Sequence, residues 1–460
     1  MSLSQTIEDI YPLSPMQQGM LFHTLYAPEA GSNVFQMSCL LKGDLDRAAF
    51  RRALARVIER HAVLRTSFLW ESVEQPLQVV DHEVPLPLAE QDWSGLSEEE
   101  RRARLDLHLA EDLARGFDLT RAPLLRVLLA REAPGGHRLV WSLQGILLDG
   151  WSLPSLLGEV FLHYEAFRAG GDPRLPAPRR YRDYIAWLLQ KDAAEGELFW
   201  RRELQGFTRA TPLPGDRGPG GPGAPGSQPA VDQLRVFLSA EVTAALQSFA
   251  RAERLTVNTL VQGAWALLLA RASGERDVVF GATVSGRPAD LPGVESMIGL
   301  FINTLPVRWK LDPGERLVDA LRRLQERQSQ ARQLEHTPLV DVQGWSDVPR
   351  GLPLFESIVT FENFPVAETL RETSSSLEVD EVWQLDVTGY PLALEVVPGK
   401  QLSLRLTYDG ARFEARTIEA LLEQLAGLLA EMPGLAERTV AELAERRPSF
   451  SETELQQLRE

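Results

Sequence analysis

Apolar positions recur along this chain with two periods, and each period predicts an element. From Asp46 to His61, Phe50, Leu54, Val57 and Ile58 follow helical spacing with arginines between them. Ser97-Glu98-Glu99-Glu100 has the form of a capping box, in which serine and glutamate satisfy each other's orphan amides, and predicts a helix to about Leu113. Pro123 to Arg131 and Arg138 to Leu143 read as strands joined at Pro134-Gly135-Gly136. The second strand runs into Gln144-Gly145, three aliphatic residues and Asp149-Gly150. Ser152 is then expected to cap a helix through about Ala169, with Pro154 in the first turn, where a missing N–H costs nothing.

Thr211 to Pro229 is mostly proline and glycine and is expected to be a mobile linker or surface loop. Gly218, Gly220 and Gly223 match G-x-G-x-x-G there, but no strand closely precedes them and no helix follows, so a phosphate loop is rejected. Beyond it the pattern predicts helices at about 240–254 and 256–272, then the strand DVVFGATVSG and the strand NTLPVRW. A helix from Pro313 to about Ala331, the strand FESIVTFEN, a pair near LALEVVPG and QLSLRLTYDG, and a helix over roughly Ala415 to Glu431 complete the chain. Strands and helices mix without the strict alternation of a doubly wound parallel sheet, so the class is α+β. No short repeat is present, and a division into two similar lobes stays open. At 460 residues the chain is too long for one ordinary core.

Composition narrows the function. An apolar fraction of 44% and a charged fraction of 24% are those of a globular protein. A net charge of −16 argues against a general nucleic-acid binder, whose phosphate contacts need clustered Lys and Arg. The runs RRALARVIERHAVLR and ERRARLD read first as solvated helix faces and secondly as a docking patch for an acidic partner. No apolar run approaches the ~20 residues of a membrane span, and no secretory signal is seen. Cys39 is the single cysteine, read as a small buried hydrophobe; this excludes an internal disulfide and fits a reducing cytoplasm. There is no G-x-S-x-G elbow, no H-E-x-x-H and no cysteine-histidine cluster.

YPLSPMQQGMLFH (Tyr11 to His23), RHAVLRTSF (Arg60 to Phe68), QGILLDG (Gln144 to Gly150), YRDYIAWL, GATVSGRPADLPGVESMIGLFINTLPVRW, HTPLVDVQGWSDVPRGLPLFESIVTFENFP and LRLTYDG follow one another in order. Together they resemble the motifs of nonribosomal peptide synthetase condensation domains along nearly the whole chain. The resemblance implies two chloramphenicol-acetyltransferase-like lobes in a V-shaped pseudo-dimer with a central tunnel. The expected lobes are residues 1–175, with the motif turn at 144–150, and 176–460, with the mobile loop at 211–229, meeting near 172–180. It implies an amide-forming acyltransferase. Upstream and downstream peptidyl carrier domains, with an adjacent adenylation domain, bring an acyl or peptidyl thioester and an aminoacyl thioester on phosphopantetheine arms. No bound cofactor or metal is expected. The phrasing looks closest to members that use an L-configured donor, or to starter members that take a fatty acyl group from acyl-CoA. For a starter, the cue is that the chain begins at Met1 with no carrier domain ahead.

The family motif is His-His-x-x-x-Asp-Gly, and its second histidine takes a proton from the attacking amine or holds the amine in line. Gln144 and Gly145 stand at the two histidine positions, and glycine has no group to titrate. None of His23, His61, His82, His108, His137, His163 and His336 reaches the turn by a shift of one residue. The family pairs Asp149 with Arg65 in a salt bridge behind the site, so Asp149 is read as structural before general base. Gly150 is either an oxyanion donor through its amide or a plain turn glycine. Ser152 is a helix cap before it is a catalytic or tunnel hydroxyl. Asn303 and Ser285-Gly286-Arg287 are expected to shape the loop that floors the tunnel. His336 and Trp345 either line its acceptor side or simply pack, and His23 and His61 are read as core histidines. Three functions follow: a condensation domain with its catalytic histidine replaced and its activity impaired, an inactive module that recruits a carrier or partner enzyme, and a starter domain. The second predicts decay at Asp149 or Arg65, and both residues are present.

Overall fold

The computed structural model describes residues 6–26, 33–218, 231–362 and 376–445. The first run of elements is β1 (Ile7–Pro12), α1 (Pro15–Tyr26), β2 (Val34–Lys42), α2 (Arg47–Arg60), β3 (Thr66–Leu69), β4 (Leu77–Asp81), β5 (Leu88–Asp92) and α3 (Glu98–Arg115). β6 (Leu125–Ala133), β7 (Gly136–Gln144), α4 (Ser152–Arg168), α5 (Tyr181–Leu188) and α6 (Ala193–Leu204) follow. Next come β8 (Val231–Phe237), α7 (Ala240–Glu253), α8 (Val257–Ser273), β9 (Asp277–Val284), β10 (Asn303–Lys310), α9 (Leu317–Arg332) and α10 (Leu339–Trp345). The rest is β11 (Ser357–Phe361), β12 (Glu378–Asp386), β13 (Leu392–Val397), β14 (Ser403–Asp409), α11 (Ala415–Glu431) and α12 (Val440–Glu445).

The chain divides into two compact units, and neither is one continuous stretch. The first draws on Met1–Lys191, Arg287–Ile302 and Phe364–Gly389, the second on Asp192–Gly286, Asn303–Asn363 and Tyr390–Glu460. This differs from the single break expected at 175. α5 belongs with the first unit because Tyr181, Tyr184 and Ile185 are buried against Val294, Met297 and Phe301. β12 belongs there because it pairs antiparallel with β2 and buries Val379, next to Leu377 just ahead of the strand, in that unit's core.

In the first unit a five-stranded sheet runs β12-β2-β7-β6-β5, beside a small sheet β1-β4-β3. Every residue of β7 is buried, as expected of a strand covered on both faces. α2 places Phe50, Leu54, Val57 and Ile58 against α4, as its spacing predicts, and Asp46 caps it by accepting from Ala48 and Ala49 N–H. α3 carries the complete capping box on Ser97 and Glu100. Cys39 is fully buried.

In the second unit a six-stranded sheet runs β10-β9-β11-β13-β14-β8. β11 lies parallel to both β9 and β13, and the other pairs are antiparallel. α8 is buried continuously from Thr259 to Ala270, the mark of a helix that is apolar all round. Its Trp265 packs in one core with Trp309, Leu321, Leu404 and Leu425, where each large side chain contributes roughly 1.5–3 kcal/mol of burial. α9 starts at Leu317 rather than Pro313, because Asp312, Pro313 and Gly314 form a turn in which Asp312 accepts from Gly314 N–H.

The expected mobile segment 211–229 is corrected in its first part. The Thr211 hydroxyl accepts from Val279 N–H, Leu213 is buried, and Asp216 pairs with Arg412. Residues 219–229 lie outside the described residues.

Candidate functional site

β7 ends at Gln144, which lies opposite Val34 of β2 and is buried. The chain then turns through Gly145 to Gly150 into α4. Backbone hydrogen bonds hold this turn. Gly145 N–H donates to Asn33 O at 2.7 Å, Leu147 N–H to Gln144 O at 3.1 Å, and Asp149 N–H to Gly299 O at 3.1 Å. From α1, Gln17 donates through its amide to Ile146 O at 2.9 Å. Gly145 and Gly150 are half-buried, whereas Ile146, Leu147, Leu148 and Asp149 are buried.

The Asp149 carboxylate is fully enclosed and engaged on both oxygens. Oδ1 accepts from Ser152 N–H at 2.9 Å, the Ser152 hydroxyl at 2.7 Å and Arg287 Nη2 at 3.2 Å. Oδ2 accepts from Phe301 N–H at 3.0 Å. Ser152 Oγ also lies 2.9 Å from Gly299 O and accepts from Gly299 N–H at 3.1 Å and from Arg287 Nη2 at 2.9 Å. Arg287 in turn donates to Val294 O and Met297 O and stacks over Phe301 at 4.0 Å. Burial pulls the Arg287 guanidinium below its usual value, against the pull of Asp149. The aspartate, serine and arginine therefore bind the motif turn to the 287–301 segment.

Two expectations are corrected here. Arg65 does not pair with Asp149. It ends a 3₁₀ turn, and its guanidinium is taken up by Glu8 at 2.7 Å and by the carbonyls of Ile58, Asp81 and His82. The counter-ion of Asp149 is Arg287, with side-chain exposures of 0% and 5% for the acid and base. Ser152 is not a cap either. It is the first residue of α4, the residue before it is Trp151, and Asp149 supplies the oxygen that accepts Ser152 N–H.

The 287–301 segment fits closely under α5. A Cβ on Gly299 would lie 2.2 Å from Tyr181 Cδ2, so only glycine allows this approach. The Tyr181 hydroxyl donates to Leu300 O, and burial holds its ionisation well above the ordinary value.

Gly145 itself has little room beside it. A Cβ there would lie 3.1 Å from Asn33 O and 3.2 Å from the Met20 methyl. His61 is buried and its ring bonds Glu159 at 2.9 Å, as a core histidine; the His23 side chain lies outside the described residues. In the second unit, Asn303 braces a loop. Its amide donates to Glu335 O at 2.8 Å and Thr337 O at 2.7 Å and accepts from Thr304 N–H at 2.9 Å. His336, between those two carbonyls, is half-buried, and Trp345 packs against the cluster of Trp200, Val342 and Phe355. Gly286 takes a left-handed φ of 61° and Ser285 is exposed. Among the described residues no group of three or more His, Cys, Asp or Glu is placed to hold a metal ion, and no helix is long and apolar enough to cross a membrane.

The site is thus a strand-turn-helix that presents Asp149-Gly150 in an α+β chain. The Condensation domain family model matches residues 7–452, and the chain belongs to that family. It is 44% identical over 443 residues to one of the linear gramicidin synthase proteins of Brevibacillus parabrevis, covering 96% of this chain and 6% of that protein. The chain thus spans less than a tenth of the length of this relative. The solved X-domain from teicoplanin biosynthesis matches with a TM-score of 0.79 at 26% identity over 94% of this chain and 96% of that one. The first condensation domain of the calcium-dependent antibiotic synthetase, in complex with a substrate analogue, shares the fold with a TM-score of 0.76 at 20% identity, covering 95% of this chain and 98% of that one.

Proposed function

We propose that this chain forms an amide bond between an acyl or peptidyl thioester and the amine of an aminoacyl thioester within a nonribosomal peptide synthetase. Upstream and downstream carrier domains bring both substrates on phosphopantetheine arms, beside an adenylation domain. In the starter variant of the reading, an acyl-CoA replaces the upstream carrier. The cytoplasm is the expected compartment. The observation that carries the reading is the Asp149–Ser152–Arg287 network around a turn with Gln144 and Gly145 at the motif's two histidine positions.

The reaction tolerates glycine at 145 for a chemical reason. An α-amine has an ordinary pKa of ~7.7–8.0, so near pH 8 about half is already the neutral nucleophile. Attack on the thioester carbonyl forms the C–N bond, and the C–S bond breaks to release a thiolate that takes up the amine's proton. Alignment of the two arms supplies proximity, which can be worth ~10⁵ M or more in effective concentration. A positioned base adds ~10²–10⁴ to the rate, and that factor is what Gly145 forgoes. The test is a single-turnover assay, with acyl-carrier or acyl-CoA donor and aminoacyl carrier, read by mass spectrometry of the acceptor arm. Slow amide formation well above the no-enzyme rate is expected. Tight binding of both carriers with no amide from any donor class favours the recruitment module.

A further inference from the structure

The Gly145 turn leaves one polar group unaccounted for. Asn33 is 8% exposed and adopts a left-handed φ of 57°, a conformation that asparagine tolerates better than most residues. Its backbone carbonyl is committed to Gly145 N–H at 2.7 Å. Its side-chain Nδ2 is buried and finds no acceptor among the described residues. Leaving such a donor unmade costs about 1–3 kcal/mol, and buried polar groups in native structures are overwhelmingly satisfied. The other neighbour of a Cβ at this glycine is the Met20 methyl, which is apolar and offers no hydrogen-bond donor.

We propose that the Asn33 side-chain amide donates to the oxygen of the acyl thioester carbonyl when the donor arm is bound, as the oxyanion-stabilising group of this histidine-less turn. The inference rests on the amide-forming function proposed for the chain. As the amine attacks, the C=O pair moves onto oxygen and the developing charge is met by Asn33 Nδ2–H. When the intermediate collapses, the pair returns, the C–S bond breaks and the amine proton leaves with the thiolate. Carboxamide side chains are suited to this role because they donate without titrating, and one such donor is worth about 10² to 10³ in kcat.

The experiment compares the full chain with Asn33→Gly and Asn33→Asp. Glycine accepts the left-handed backbone and removes the amide; aspartate keeps the shape but accepts only. The first readout is the infrared carbonyl stretch of a bound ¹³C-labelled acyl-pantetheine thioester. A stretch lowered in the unmodified chain, and returned to its solution value in Asn33→Gly, supports the assignment. The second is single-turnover kinetics. A kcat about 10²-fold lower in both variants, with KM for the aminoacyl acceptor unchanged and the melting temperature of Asn33→Gly not lowered, also supports it. An unlowered stretch in the unmodified chain overturns it, as does full kcat in a stably folded Asn33→Gly. A lowered stretch in an unmodified chain that makes no amide supports the Asn33 contact and refutes the proposed reaction, so the two failures are distinct.

Discussion

Removing the Asp149 carboxylate tests whether the motif turn is held by Arg287. In Asp149→Ala, Ser152 N–H, the Ser152 hydroxyl, Phe301 N–H and Arg287 all lose the carboxylate as an acceptor, and the guanidinium stays buried at 5% exposure without its counter-ion. Breaking a buried pair from one side costs ~3–5 kcal/mol. A unit of roughly 200 residues loses ~2–4 °C per kcal/mol, so its transition should fall by ~6–20 °C in calorimetry. The partner is identified by a double-mutant cycle. Asp149→Ala combined with Arg287→Met should be less destabilising than the sum of the singles by ~1–3 kcal/mol, because the second change removes the stranded cation. Asp149→Ala combined with Arg65→Met should be additive within ~0.5 kcal/mol, because Arg65 spends its guanidinium on Glu8 and on backbone carbonyls. Coupling to Arg65 and none to Arg287 would refute the assignment.

Two further outcomes follow from the packing. Gly299→Ala places a methyl 2.2 Å from Tyr181, so the segment or the ring must move, at a cost of ~1–3 kcal/mol; pairing it with Tyr181→Leu should recover part of the loss in thermal melts. His163 is buried on α4, stacked on Phe167, and burial, then the charge of Arg60, hold its imidazole below the ordinary value. The unfolded chain therefore binds a proton near pH ~6.5 while the folded chain stays neutral, so stability is complete above ~6.5 and falls as the pH drops towards the lowered folded value. His163→Phe should flatten urea-derived stability between pH ~6.5 and ~5, and an unchanged slope would count against this account.

The sequence was most legible where local rules dominate. The α2 periodicity, the capping box of α3 and the hairpin of β6 and β7 depend on neighbours a few residues apart, and they fold as their spacing predicts. The site was legible as a turn but not as a network. Asp149 has its cation 138 positions away, and nothing in the run SGRPADLPG singles out Arg287 as its partner among the 48 lysines and arginines. Arg65 was the nearer expectation by family resemblance, yet its surroundings are carbonyls brought together by β4 and α2, which no spacing reveals. β12 escaped because Asp380 and Glu381 interrupt its apolar alternation. They sit at a bulge and are answered by Lys42 and Arg138. Asn33 and Met20 matter only because the fold brings them against Gly145.

The central claim is that this turn supports amide formation with no titrating side chain at position 145. Its most direct test is the pH–rate profile of single-turnover condensation for the unmodified chain and for Gly145→His, the latter also with Met20→Ala to open space for the ring. The unmodified chain should show a rate rising with unit slope to a plateau set by the acceptor amine near pH ~8, with no break near ~6.5. Gly145→His with Met20→Ala should be ~10²–10⁴ faster and carry an added ionisation near ~6.5. A break near ~6.5 in the unmodified chain, or a rate untouched by the restored imidazole, would contradict the account.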